Sequence, residues 1–111
     1  MNEHILKNID FATLLEMDKL VEYQTGQVVS KTLVQNKAVS ITLFAFDKDE
    51  EISSHDSSGD AIVYVLDGEG KITIGDMDYT MTKGNTIVMP AKVPHAVMAT
   101  QQFKMLLVVV F

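Results

Sequence analysis

The chain has 111 residues, 47% of them hydrophobic, a net charge of −6 and no cysteine. That length suits one domain with a core of its own, and the missing cysteines exclude disulfides, thiolate metal sites and a cysteine nucleophile together. An acidic surface without a basic stripe repels phosphate backbones, so nucleic-acid binding is not expected.

The opening Met1-Asn2-Glu3-His4 lacks a basic region followed by an apolar stretch, and no secretory signal is read there. The longest apolar run, Met105 to Phe111, falls far short of the roughly 20 residues of a membrane span. A cytoplasmic protein with no membrane partner is the expectation. Residues 1–25 read as an N-terminal arm. Within it Asp10 is a candidate N-cap, and Phe11, Leu14 and Leu15 recur at helical spacing, which predicts a short helix.

From residue 26 onward the signals are strands and turns. Val28 to Leu33 reads as a strand, turned by Gln35-Asn36-Lys37 into a second over Val39 to Phe46. Asp47 to Glu51 reads as a solvated, charged turn. Ala61 to Leu66 is an apolar strand framed by Ser57-Ser58-Gly59-Asp60 and Asp67-Gly68, with Gly68-Glu69-Gly70 placed in a hairpin turn. Lys71 to Ile74 alternates cleanly and turns at Gly75-Asp76 into Asp78 to Met81. Thr86 to Met89, His95 to Ala99 and Phe103 to Phe111 complete the set. So many short strands predict an all-β, antiparallel sandwich or barrel. Ala61–Leu66 and Met105–Phe111 are apolar on both faces, whereas one face of an antiparallel sheet normally meets water. The arm, a second copy, or both must cover that face, and a homodimer is predicted.

Of the three histidines, His4 lies near the chain start, while His55 and His95 each stand at the edge of a predicted strand. The stretch from His55 through Ala61 to Gly68 resembles the first signature motif of the cupin superfamily: Gly, five residues, His-x-His, three or four residues, Glu, six residues, Gly. Gly84, Pro90 and His95 resemble the second: Gly, five residues, Pro-x-Gly, two residues, His, three residues, Asn. The resemblance implies a cupin-type antiparallel β-barrel (a jelly roll) over residues 26–111. It also implies an inward-facing metal site of three histidines and a glutamate.

The match is partial. His55 and Gly68 fit the first motif, but Asp49 stands where a Gly is expected, Ser57 where the second His is expected and Ala61 where the Glu is expected. In the second motif Lys92 replaces a Gly and Ala99 the Asn. Two of four metal ligands remain. The favoured reading is therefore a small-molecule-binding domain, its pocket centred on His55 and His95 with Ser57 as a further polar group. Ala61, Val63 and Val65 form one wall of this pocket, and Val97 and Ala99 another. The alternative is a metal-dependent enzyme of the isomerase or dioxygenase kind, in which His55, His95 and a loop carboxylate (Asp56 or Asp60) hold a divalent ion. Zinc, nickel, iron and manganese are the candidates, weakly or partly occupying the site. Strand alternation argues against Asp60, because it faces out if Ala61 faces in.

Overall fold

The structure, a computed structural model, describes residues 4–111. Seven antiparallel strands form one continuous, strongly bent sheet: β1 (Val28–Gln35), β2 (Val39–Phe46), β3 (Glu51–His55), β4 (Asp60–Ile74), β5 (Met77–Thr82), β6 (Thr86–Met89) and β7 (His95–Val110). The strand order is β1-β2-β7-β4-β5, with β3 pairing β7 and β6 pairing β4. Among the described residues no helix is long and apolar enough to cross a membrane.

β4 and β7 are the spine. They pair from Asp60↔Val110 to Ile74↔His95. One half of the pair is flanked by β6 and β2, the other by β5 and β3. Irregular register at Val65/Asp67 and again at Gly68/Gly70 bends the spine between its halves. Gly68 makes the bend feasible: its φ is 76°, and a Cβ there would collide with the Gln102 carbonyl. The two halves therefore fold toward one another without the sheet closing into a full barrel. Gly68-Glu69-Gly70 is a bend inside one continuous strand, not a hairpin turn. What reads as two strands on each side of such a bend is in fact β4 and β7.

The inner faces enclose the core. Alternate residues of β4 (Ala61, Val63, Val65 and Ile72) meet Phe46, Phe103 and Met105, and the Phe46 and Phe103 rings stack at 4.6 Å between centroids. A second cluster lies on the outer face of β1 and β2, where the arm's Val21, with Leu6, Ile9, Leu20 and Tyr23, covers Leu33, Leu43, Ala45 and Leu66. Tyr23 donates to the Asp67 carboxylate at 2.5 Å, and Lys104 sits over its ring and bonds the Asp18 carbonyl at 2.6 Å.

The helix expected at Asp10 to Leu15 is absent; the arm's helical content is a 3-10 turn over Met17–Lys19. Left-handed backbone at Asn8 (φ 59°) and Ala12 (φ 52°) bends the chain there. Burying Leu6, Ile9, Leu20 and Val21 against the sheet overrides a helical preference too short to sustain itself.

Candidate functional site

His55 and His95 are Cα partners across β3 and β7. Between Ile52↔Val97 and His55↔His95, two residues of β3, Ser53 and Ser54, oppose Ala96 alone. The extra residue is what aims His55. Counting by twos from the inward-packed Ile52 would send position 55 to the opposite face, and a bulge reverses that parity. His95, just past Pro94, also pairs with Ile74 and is 5% exposed, while His55 is open to solvent.

The rings meet edge to face, their centroids 4.4 Å apart and their planes at 70°, with Nε2 facing Nε2 at 3.1 Å. Each Nδ1 meets a backbone carbonyl two residues back: Ser53 at 3.0 Å for His55, Val93 at 3.3 Å for His95. Carbonyls only accept, so each Nδ1 must carry the proton. That leaves two lone pairs opposed across the Nε2–Nε2 gap. Three contacts need three protons, and two neutral imidazoles supply two. Burial, and then repulsion from His55, hold His95 below the ordinary histidine range, against weaker opposing effects of the Val93 carbonyl and Asp56. His95 is thereby disfavoured as the source of the third proton.

Two loops brace the pair. The Ala91 N–H donates to Asp60 Oδ1 at 2.8 Å, and the Lys92 N–H donates to the Ser57 carbonyl at 2.7 Å. Ser57 Oγ is engaged with Gly59, accepting from its N–H at 3.0 Å and donating to its carbonyl at 3.2 Å. Asp60 is thus a brace facing outward, as alternation from the buried Ala61 requires. It is not brought to the histidines, and Asp56 is exposed. Asp49 (φ 72°) and Lys92 (φ 68°), the residues standing where the motifs have glycine, both keep a left-handed backbone.

The donor set does not suit a resident catalytic metal. Catalytic zinc commonly takes three protein ligands and the iron facial triad adds a carboxylate to two histidines. Among the described residues no group of three or more His, Asp or Glu is placed to hold an ion. The apolar side chains read as pocket walls lie in the packed core. Val63, Val65 and Ala99 have no accessible surface, and Ala61 and Val97 are nearly as enclosed. Two clefts open at the surface. One, of about 270 Å³, runs along β3 and β7 beside the histidines and is lined by Ser53, Ser54, Lys71, Thr73, Met98 and the predicted wall residue Val97; the other, of about 400 Å³, lies between Met17, Tyr64, Val65 and Lys83.

What sequence reasoning missed are Ser53 and Val93, which act through their carbonyls. Backbone groups leave no signature of residue type. The Ser53-Ser54 pair before His55 offers only a faint hint of a bulge.

The topology is a bent antiparallel sheet with two histidines facing each other at its mouth. Residues 42–111 match the family described as the cupin domain, and the chain belongs to that family. No curated protein matches it. Among solved structures it is similar to a conserved Streptococcus pyogenes protein of unknown function, with 44% identity over 97% of this chain and 95% of that one and a TM-score of 0.95. It is similar also to a cupin superfamily protein of Desulfitobacterium hafniense, at 32% identity over 96% and 97% of the two chains (TM-score 0.91). A cupin 2 conserved barrel domain protein of Leptotrichia buccalis is 45% identical over 84% of this chain but only 45% of its own length, with a TM-score of 0.82. Salicylate 1,2-dioxygenase of Pseudoaminobacter salicylatoxidans, 17% identical over 74% of this chain and 24% of that one (TM-score 0.69), shares the fold.

Proposed function

We propose that this cupin domain binds a small molecule at the His55–His95 pair, and that the pair accepts a hydrogen bond from a hydroxyl or another neutral donor of the ligand. The observation that carries this reading is the opposed pair of Nε2 atoms 3.1 Å apart, each ring committed through Nδ1 to a carbonyl. An unsatisfied acceptor pair in a partly buried setting is costly until a donor arrives. The ligand class follows from that polarity: the neighbouring hydroxyls of a sugar can donate to both nitrogens and the single O–H of a phenol to one, whereas a carboxylate brings a third acceptor and is rejected. The solid packing of Val63, Val65 and Ala99 supports a ligand position at the mouth beside His55 over one in the sheet interior.

A thermal-shift screen with small sugars, phenols and simple carboxylates tests this, run on the parent and on the His55→Ala/His95→Ala variant. Stabilisation by a hydroxylated compound, absent from the variant, is the expected result. Stabilisation by carboxylates alone, or a response the double variant retains, overturns the assignment. Elemental analysis of untagged protein adds a second arm: stoichiometric metal in the parent and none in the variant would restore the metal-dependent reading.

A further inference from the structure

The cleft along β3 and β7 opens on the outer face of the sheet, behind the histidines. Ile72 and Val97 pack into the core, so their neighbours Lys71, Thr73, Ala96 and Met98 point the other way, to the side opposite His95. Register sets Thr73 beside Ala96 and Lys71 beside Met98, with Glu51 of β3 on the far side of Met98. The bulge makes the hollow. Ser53 and Ser54 together oppose Ala96, whose single methyl group leaves the space beside them open. Lys71 on one wall is half-buried and Glu51 on the other is exposed. Their strands are two apart, about 9.6 Å at ordinary strand spacing. The two charges do not pair. Among the described residues the one ion pair is Lys19 with Glu16, and both walls of the cleft keep their charge uncompensated.

We propose that this cleft binds a small zwitterion, a free amino acid with an apolar side chain. Its carboxylate meets Lys71, its ammonium meets Glu51, and its side chain lies on Ala96 and Met98. A half-buried ammonium without a counter-ion gains from a carboxylate brought to it. A simple anion would answer Lys71 but carry like charge to Glu51, in a chain whose net charge is already −6. A simple cation has the same fault at Lys71. A zwitterion is neutral as a whole and answers both walls, so the long-range field of the acidic chain does not oppose its entry. Size points the same way. Sites for drug-sized ligands hold roughly 300–1,000 Å³, and about 270 Å³ suits a smaller molecule.

The test is an NMR titration of the isotope-labelled chain with leucine as the probe. Two comparison compounds keep its branched side chain: 4-methylpentanoate lacks the ammonium and 3-methylbutylamine lacks the carboxylate. Leucine should give saturable amide shifts centred on residues 51–54, 71–73 and 96–98, with a Kd on the order of 1 mM. Each comparison compound should bind at least about threefold more weakly. Lys71→Met and Glu51→Gln should each weaken leucine by at least about threefold as well, and Ala96→Leu, which fills the floor of the cleft, should abolish binding. The dispersion of each variant's own spectrum shows whether it is folded, and the two charge changes are at surface positions that do not support the core. No saturation by ~20 mM leucine, shifts centred elsewhere, or a comparison compound that binds as tightly as leucine each overturns the proposal. The His55→Ala/His95→Ala variant should bind leucine as the parent does, so the cleft and the histidine site stand or fall separately.

Discussion

The stacked core between the sheet halves and the histidine mouth share β7, with β2 and β4 completing the core and β3 the mouth, yet they are governed by different rules. In the core every side chain answers to volume: Phe46 against Phe103, with Val63, Val65 and Met105 around them, all without accessible surface or nearly so. At the mouth every side chain answers to hydrogen-bond polarity. There the bulge at Ser53-Ser54, the Asp60 brace and the two ring-to-carbonyl contacts fix position, while the facing nitrogens are left with one donor too few. A region that satisfies itself gives stability. A region held rigid with an unmet requirement is where the proposed recognition would arise.

The contrast is broken most forcefully from the core side. Phe103→Ala removes a fully buried ring and its stacking partner's contact, and should cost about 3–5 kcal/mol in urea-induced unfolding. Double alanine at the two histidines should cost far less than that while abolishing any ligand-induced thermal shift. If the histidine variant proves the more destabilising, the pair belongs to the architecture and not to recognition.

A smaller effect, of opposite sign, is expected in the loop that braces the mouth. Lys92 holds a left-handed backbone that costs an ordinary residue roughly 1–2 kcal/mol, part of which glycine gives back in chain entropy. Lys92→Gly should therefore raise stability by about 0.5–1 kcal/mol and leave the ligand response unchanged, since the Lys92 N–H still reaches the Ser57 carbonyl. A loss of stability would mean that the lysine side chain makes a compensating contact.

Much of the core could be read from the chain, and much of the mouth could not. Alternation along Lys71–Ile74 specifies a strand because a period-two pattern has a single structural solution when one face is buried. The same logic correctly turned Asp60 outward. It failed where two patterns meet inside one strand: the glycines at 68 and 70 look like turn residues, and only the long-range pairing of β4 with β7 makes them a bend. β3 escaped notice because Glu51-Ile52-Ser53-Ser54-His55 has one apolar residue and an interrupted parity, and only its pairing with β7 gives it strand form. Asp47 was read as part of a solvated turn. It is only partly exposed and is employed, accepting from the Gly26 N–H at 2.7 Å and from Gln102 at 3.0 Å, and these bonds hold its carboxyl below the usual range. The two motif glycines replaced by Asp49 and Lys92 carried more information than their identities suggest, because the backbone shape persists after the glycine has gone.

The smallest effect is the most discriminating, because it asks which species fills the gap between the rings. His95 is held below its ordinary value of 6.5 in the folded chain, so around that pH the unfolded chain binds the proton more readily. Stability from this group is then complete above pH 6.5 and is lost as pH falls from there through the lower, folded value. Carboxylates titrating nearby also contribute to acid sensitivity, so the informative quantity is the difference between the parent and His95→Gln. The parent should lose more stability than the variant between about pH 7 and pH 5 in matched thermal melts. The opposite slope, with the parent gaining on the variant as pH falls, would mean that a shared proton bridges the two Nε2 atoms. In that case the pair completes its own hydrogen bonding, and the requirement from which a ligand donor was inferred is gone.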